Sequence, residues 1–348
     1  MRVLRIDEKL AALSKPSLQP VERFSLESTD CLILCTGFED RVLGVLDSAL
    51  LGSAPFNVVI VEYLPFMPQN RSPTIREKCV RYGLSFSNVT YDRQNPVGFG
   101  EVLLHQLANC NGRIFVDVSG MSRLLIVQLL VALGKRKACF NHCFVAYTEA
   151  TSYPPSQDEV EAKIAKRSID PTYSVLFLSS GVFEVTIVPE LSSASIPVGQ
   201  TRLVAFPSLE AYQLTALRAQ LQPSRFTFIH GIPPSPANAW RLEAIRRINR
   251  VDTVKHDALT TSTLDYRETL DCLLRLYGTH SERERLLISP TGSKMQTVAV
   301  GLFRTFMDDV QIVYPTPKEF RSPDNYTKGV GQFYTLPLEG FSLSGNCQ

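Results

Sequence analysis

Long apolar runs are missing from this sequence. The longest candidate, 124–133, contains Gln128 and reaches only about half of the roughly 18 residues that a bilayer crossing requires. The opening stretch, MRVLRIDEKLAALSKP, breaks its apolar residues with charges and so has no signal-peptide core. A cytoplasmic location with no membrane association is the expectation. An excess of one charge is also missing: 36 Lys and Arg stand against 34 Asp and Glu, a net charge of +2. That balance argues against a surface built broadly for duplex nucleic acid. The eight cysteines include no CxxC pair. Cys31 and Cys35 fall in one apolar run and Cys139 and Cys143 flank another, which reads as buried free thiols rather than a zinc or redox motif. His105, His142, His230, His256 and His280 show no metal or triad spacing. No catalytic residue, metal or cofactor is therefore expected. Neither a GxGxxG fingerprint nor the leading glycine of a GxxxxGK[ST] phosphate loop is present.

What the sequence does have is one pattern written twice. At 348 residues it has room for two domains, each with its own core. In the first half, apolar runs at 31–35, 57–63, 88–92, 113–118 and 142–147 alternate with helical stretches. In the second half the runs are 202–206, 226–230, 253–257, 285–289 and 310–314. Near-continuous apolar strands alternating with helices predict mostly parallel sheets covered on both faces, an α/β fold. Landmarks agree between the halves. From Gly37 to Arg123 is 86 residues, and from Pro207 to Lys294 is 87. Asp92 and Asp257 follow those origins by 55 and 50 residues, and Tyr147 and Tyr314 by 110 and 107. The reading is an internal duplication. Residues 1–28 form an N-terminal extension, 29–190 the first lobe, 191–200 a Ser/Pro-rich linker and 201–348 the second lobe. Each lobe is expected to carry an antiparallel hairpin, from 172–189 in the first case and from the region around 331–337 in the second.

In an open parallel sheet, ligands sit beyond the carboxyl ends of the strands at the switch point. The first-half loops there are 36–41, with Thr36, Gly37, Glu39 and Arg41, and 119–123, with Ser119, Gly120, Ser122 and Arg123. The second-half loops hold Pro207, Ser208 and Glu210, then Thr291, Gly292, Ser293 and Lys294. Glycine lets the backbone approach a ligand, hydroxyls hydrogen-bond to it, and the following helix aims its N-terminal amides and a cation at it. That combination favours phosphate or carboxylate. The plainer alternative is a tight turn in which Ser122 and Ser293 serve as helix caps. Glu39 and Asp40 either accept from a base or ribose or simply begin a helix. Asp92 and Asp257 read as turn residues, Trp240 as a packing residue, and 241–250 as a helix with Arg246, Arg247 and Arg250 on its solvated face. His230 and His256 lie near strand ends, where either could line the second pocket.

The run Ile288-Ser289-Pro290-Thr291-Gly292-Ser293-Lys294-Met295 resembles the strand-four signature of CRISPR-associated Rossmann-fold (CARF) domains. Asp117-Val118-Ser119-Gly120-Met121-Ser122-Arg123 resembles a divergent copy, with Met121 as its departure. Two such lobes in one chain are similar to SAVED sensors of prokaryotic antiviral defence. The resemblance implies a sensor for a nucleotide-type second messenger, a cyclic oligonucleotide, held in the cleft between two Rossmann-like lobes and acting on a separate effector protein. Lys294 and Arg123 would face phosphate. Two alternatives stay open: a metal-independent phosphodiesterase that degrades the messenger, and an interaction adaptor whose pocket has decayed.

Overall fold

The computed structural model describes residues 5–108, 110–136, 140–170, 172–193, 199–251, 257–320 and 326–341. The chain folds into two compact units: Met1–Ser152 with Thr327–Gln348, and Tyr153–Tyr326.

The first unit runs α1 (Ile6–Ala12), β1 (Gln19–Val21), β2 (Cys31–Cys35), α2 (Gly44–Leu50), β3 (Asn57–Leu64), α3 (Ser72–Arg81), β4 (Ser85–Asp92), α4 (Phe99–Gln106), β5 (Ile114–Asp117), α5 (Arg123–Lys135) and β6 (Cys143–Thr148). The second runs α6 (Gln157–Ile169), β7 (Val182–Thr186), β8 (Gln200–Ala205), α7 (Ala211–Leu221), β9 (Arg225–Ile232), α8 (Trp240–Asn249), β10 (Asp257–Ser262), α9 (Tyr266–His280), β11 (Glu284–Ser289), α10 (Lys294–Phe306), β12 (Gln311–Ile312) and β13 (Tyr314–Pro317). The chain then returns to the first unit with β14 (Phe333–Pro337).

The fold is α/β with two Rossmann-like lobes. In the first, the parallel strands lie in the order β6-β5-β2-β3-β4; in the second, β12-β11-β8-β9-β10. The two orders are the same when strands are matched by rank. All five residues of β2, Cys-Leu-Ile-Leu-Cys, are buried, because parallel neighbours flank the strand and helices cover both faces. The helix after the fourth strand is the deepest in each lobe. Ten consecutive residues of α5, Leu124–Leu133, are buried, and so are ten of α10, Met295–Arg304. A helix apolar on all sides belongs to a core. Gln128 is tolerated inside α5 because it accepts from the Tyr91 hydroxyl at 2.7 Å and donates to the Pro96 carbonyl at 2.8 Å.

The antiparallel extensions exist, but they are not local hairpins. Residues 153–190, which the sequence reading places in the first lobe, belong to the second unit, where β7 pairs with β13. Residues 327–341, placed by that reading in the second lobe, belong to the first unit, where β14 lies between β1 and β6. β14 joins the main sheet of the first lobe, whereas β7 and β13 form a separate two-stranded sheet within the second unit. The 191–200 segment consequently joins β7 to β8 inside the second unit instead of linking two lobes, and 194–198 lie outside the described residues. Of the 172–189 stretch only β7 is a strand. Of the third strand expected at 253–257, residues 253–256 lie outside the described residues, and Asp257 stands at the start of β10 (Asp257–Ser262) and not at its end. Asp257 and Asp92 are therefore at opposite ends of corresponding strands, and the match between them is lost. His256 lies outside the described residues. Among the described residues no helix is long and apolar enough to cross a membrane.

Candidate functional site

In the first lobe, the loops after β2 and β5 meet because those strands are neighbours. Their contact depends on glycine. A methyl group added at Gly120 would come within 2.7 Å of Val42 Cγ2 and 3.3 Å of the Cys35 carbonyl. One added at Gly37 would lie 2.9 Å from the same Val42 atom and 3.6 Å from the Gly120 carbonyl. Two loop backbones are thus pressed together over one valine.

Around that contact the predicted residues separate into framework and surface. Ser119 is fully buried; its amide and hydroxyl donate to Asp117 Oδ1 at 2.9 and 2.5 Å, and its oxygen accepts from the Thr148 amide at 2.8 Å. Thr36 is buried, with its amide on the Val61 carbonyl at 2.9 Å. Arg41 is buried as well, paired with Glu39 at 2.9 Å and donating to the Tyr147 hydroxyl at 3.4 Å. Glu39 also accepts from Thr327 Oγ1 at 2.8 Å, and Asp40 from the Gly329 amide at 2.9 Å and from Arg71 at 2.8 Å. The acidic loop is held by the returning chain and by cations, so its charge is offset within the lobe. Gly37, Gly120, Ser122 and Arg123 stay partly exposed. Ser122 caps α5, its oxygen accepting from the Leu125 amide at 3.3 Å, and Arg123 is the first residue of that helix. The Ser122 amide donates to the Tyr63 hydroxyl at 2.5 Å. Burial and the nearby Cys35 hold that phenol well above its ordinary pKa, so it stays neutral.

The second lobe repeats the plan with different contacts. Thr291 is buried and donates to the Phe206 carbonyl at 2.7 Å, tying the loop after β11 to the loop after β8. Ser293 and Gln296 form a reciprocal capping box: each backbone amide is held by the other's side chain, at 2.9 and 3.1 Å. The Ser293 hydroxyl donates to the Thr263 carbonyl at 2.6 Å. A methyl group at Gly292 would meet Gln296 Oε1 at 2.5 Å and Phe206 at 3.1 Å. Gly292, Ser293 and Lys294 remain partly exposed, and Lys294 is the first residue of α10. Ser208 is partly exposed and accepts from the Glu210 amide at 3.1 Å.

Around Ser208, the residues Phe206, Pro207, Glu210, Gln213 and Asn249 pack closely and leave no space large enough for a water molecule. Glu210 is buried. Its Oε1 accepts from the Phe177 and Leu178 amides at 3.2 and 2.6 Å, whereas Oε2 has no hydrogen-bond partner among the described residues. Burial raises its pKa above the ordinary carboxylate value. His230, near the end of β9, is fully buried with neither ring nitrogen partnered among the described residues; burial and the Arg246 charge lower its pKa to about 4. Asp92 accepts from the Gln94 amide at 2.9 Å, a turn role. Asp257 instead accepts from Arg202, which lies on β8, the central strand of the same sheet. No group of three or more His, Cys, Asp or Glu suited to a metal occurs among the described residues.

Sequence reasoning missed Gln296 and Tyr63. Gln296 had a local signal, Ser-x-x-Gln at a helix start. Tyr63 had none, since it is 59 residues from Ser122.

No protein-family model and no curated protein matches the sequence. Among solved structures, the chain is similar to a type III CRISPR defence DNA nuclease activated by cyclic oligoadenylate, at 10% identity and a TM-score of 0.45. That alignment covers 82% of this chain, which spans only 65% of the nuclease. It is also similar to the cytoplasmic domain of a prokaryotic cation chloride cotransporter, at 9% identity and a TM-score of 0.26, covering 83% of this chain and 97% of that one.

Proposed function

We propose that this chain is a sensor for an anionic, nucleotide-type second messenger of the cyclic-oligonucleotide class, in antiviral defence, and that it signals to a separate effector protein. Each lobe carries a candidate anion site at the carboxyl edge of its own sheet. The observation that carries the reading is the matched placement of Ser122–Arg123 and Ser293–Lys294. In both lobes a capping serine and a cation open a buried helix, and a glycine precedes the cap where an added methyl would collide, with Val42 and the Cys35 carbonyl at Gly120 and with the Gln296 and Phe206 side chains at Gly292. Helix amides and a full positive charge at one place favour phosphate. The same strand order in both lobes supports an internal duplication as its origin.

Binding is favoured over cleavage by where the hydroxyl protons go. Ser119 donates to Asp117, Thr291 to the Phe206 carbonyl and Ser293 to the Thr263 carbonyl. Hydroxyls used in that way hold loops in shape and are poorly placed to attack a phosphodiester. The two lobes are also unlike at this edge: an acid-and-arginine loop lies beside the first candidate site, and Pro207 and Ser208 lie beside the second.

The test is calorimetric titration of the full chain with a panel of cyclic oligonucleotides. Micromolar or tighter binding of one member is expected, weakened at least about tenfold by Arg123→Ala with Lys294→Ala, as loss of two charge-assisted contacts requires. No affinity across the panel, or an affinity unchanged in the double variant, overturns the reading.

A further inference from the structure

The loop after β3, residues 65–71, frames the candidate anion site of the first lobe. Its start is tied to that site by Tyr63, whose hydroxyl accepts from the Ser122 amide. Its end is tied there as well, since the Arg71 amide donates to the Gly37 carbonyl at 2.8 Å. Between these ties two large apolar side chains turn outward: Leu64 is 43% exposed and Phe66 63%. The loop after β4 runs beside it, because β3 and β4 are neighbours with Leu64 in register with Asp92. That second loop is anchored to α5, where Gln128 donates to the Pro96 carbonyl at 2.8 Å, and it leaves Val97 exposed.

Arg93 joins the two loops. Its amide and Nε donate to the Leu64 carbonyl at 3.1 and 3.3 Å, and its Nη2 donates to the Pro65 carbonyl at 3.3 Å. Its guanidinium lies over the Tyr63 ring, 5.5 Å from the ring centre. One tyrosine therefore holds the cap of α5 with its hydroxyl and a planar cation with its ring. The two carbonyls and the ring fix the orientation of that plane, while the Arg93 side chain stays partly exposed.

We propose that Arg93, Leu64 and Phe66 form a nucleobase subsite, receiving one base of a messenger whose phosphate lies at Ser122 and Arg123. The inference rests on the reading of the chain as a messenger sensor and names the part of the ligand that the first lobe grips besides phosphate. An inorganic anion has no use for apolar surface, and apolar side chains gathered on adjacent loops beside a binding site mark contact with something other than water. A nucleotide carries both chemistries a few bonds apart, an anion and a flat ring. Bases stack on guanidinium planes and aromatic side chains, and a guanidinium is also attracted to the face of a π-system. Arg93 and Arg123 complement the charge of such a ligand, while Leu64 and Phe66 complement its ring. Stacking accepts every base, so the subsite supplies affinity without strong preference among bases.

The experiment titrates the full chain and its variants with the panel of cyclic oligonucleotides by calorimetry. Phe66→Ala should weaken the bound member at least about fivefold, the smallest effect expected from losing one stacked base. Phe66→Trp should bind at least as tightly as the wild type. Arg93→Lys, which keeps the charge and loses the plane, should weaken binding as Phe66→Ala does. Because Phe66 is mostly exposed, the urea melt of Phe66→Ala should match that of the wild type, which separates lost stacking from lost folding. An affinity that falls in Arg123→Ala but is unchanged in Phe66→Ala and Arg93→Lys overturns the subsite and leaves the sensor reading standing. Absence of binding by every panel member overturns both. A dimer that Phe66→Ala abolishes, with messenger affinity unchanged, assigns the apolar side chains to a second copy of the chain and overturns the subsite.

Discussion

The backbone amide of Ser122 donates to the hydroxyl of Tyr63 at 2.5 Å, fixing the cap of α5 to the carboxyl end of β3. The Tyr63 ring is itself wedged edge-on against Tyr91, which meets Phe99 in the same way. An aromatic stack therefore sets the position of a helix N-terminus. Tyr63→Phe keeps the stack and removes only the acceptor. It should cost about 1 kcal/mol in a urea melt, the worth of one hydrogen bond. Exchange of the Ser122 amide with solvent should become faster. An unchanged exchange rate would mean that the contact does not hold the cap.

The two glycines over Val42 make a second relationship testable by a double variant. Gly120→Ala places a methyl 2.7 Å from Val42 Cγ2 and should destabilise the first lobe by about 1–3 kcal/mol through overpacking. Combining it with Val42→Ala removes the obstructing methyl. The double variant should then be more stable than the sum of the two single effects predicts, a coupling that denaturation of all four proteins measures. Additive losses would show that the loop moves aside at Gly120 without using Val42.

Most of the parallel core was legible because it is written locally. Buried strands such as β2 and β11 read as apolar runs, and α5 and α10 follow from apolar stretches after a capping serine. The edge strand β10 was misplaced for a physical reason. Its residues, Asp-Ala-Leu-Thr-Thr-Ser, are mostly exposed or half-exposed, so burial left little hydrophobic signal. The place of β14 was hidden because Phe333 pairs with Thr148 of β6 and Val21 of β1, 185 and 312 residues away, and no local pattern encodes such partners. At the site, sequence located the loops but could not separate Ser119 and Thr291 from their exposed neighbours. A small hydroxyl can be buried at little cost when a carboxylate or carbonyl accepts from it.

Arg202 gives Asp257 a role far from the ligand edge. It is buried on β8 beside Glu284, and it donates to Asp257 Oδ2 at 2.6 Å and Thr227 Oγ1 at 2.8 Å. Removing one partner from a buried ion pair strands the other. Arg202→Met should therefore destabilise the second lobe by about 3–5 kcal/mol, mainly through Glu284. Asp257→Asn should cost far less, about 1 kcal/mol or below, because that side chain is largely exposed. Equal losses in the two variants would contradict this division of roles.

His230 should make the second lobe sensitive to mild acid. Its ring is fully buried, neither nitrogen has a partner among the described residues, and Arg246 is the charged neighbour that adds to the burial effect. The folded pKa is near 4, below the ordinary 6.5 of an unfolded histidine. Between those values the unfolded chain binds the proton and the folded lobe does not, so stability falls as pH falls. The contribution is fully present above pH 6.5 and is lost progressively down to about pH 4, where both states are protonated. The loss is on the order of 3 kcal/mol, the free-energy equivalent of the difference between 6.5 and about 4. His230→Gln, which cannot titrate, should flatten that part of the stability profile in urea melts collected across the range. A wild-type profile with the same slope as the variant's would place the acid sensitivity in other groups.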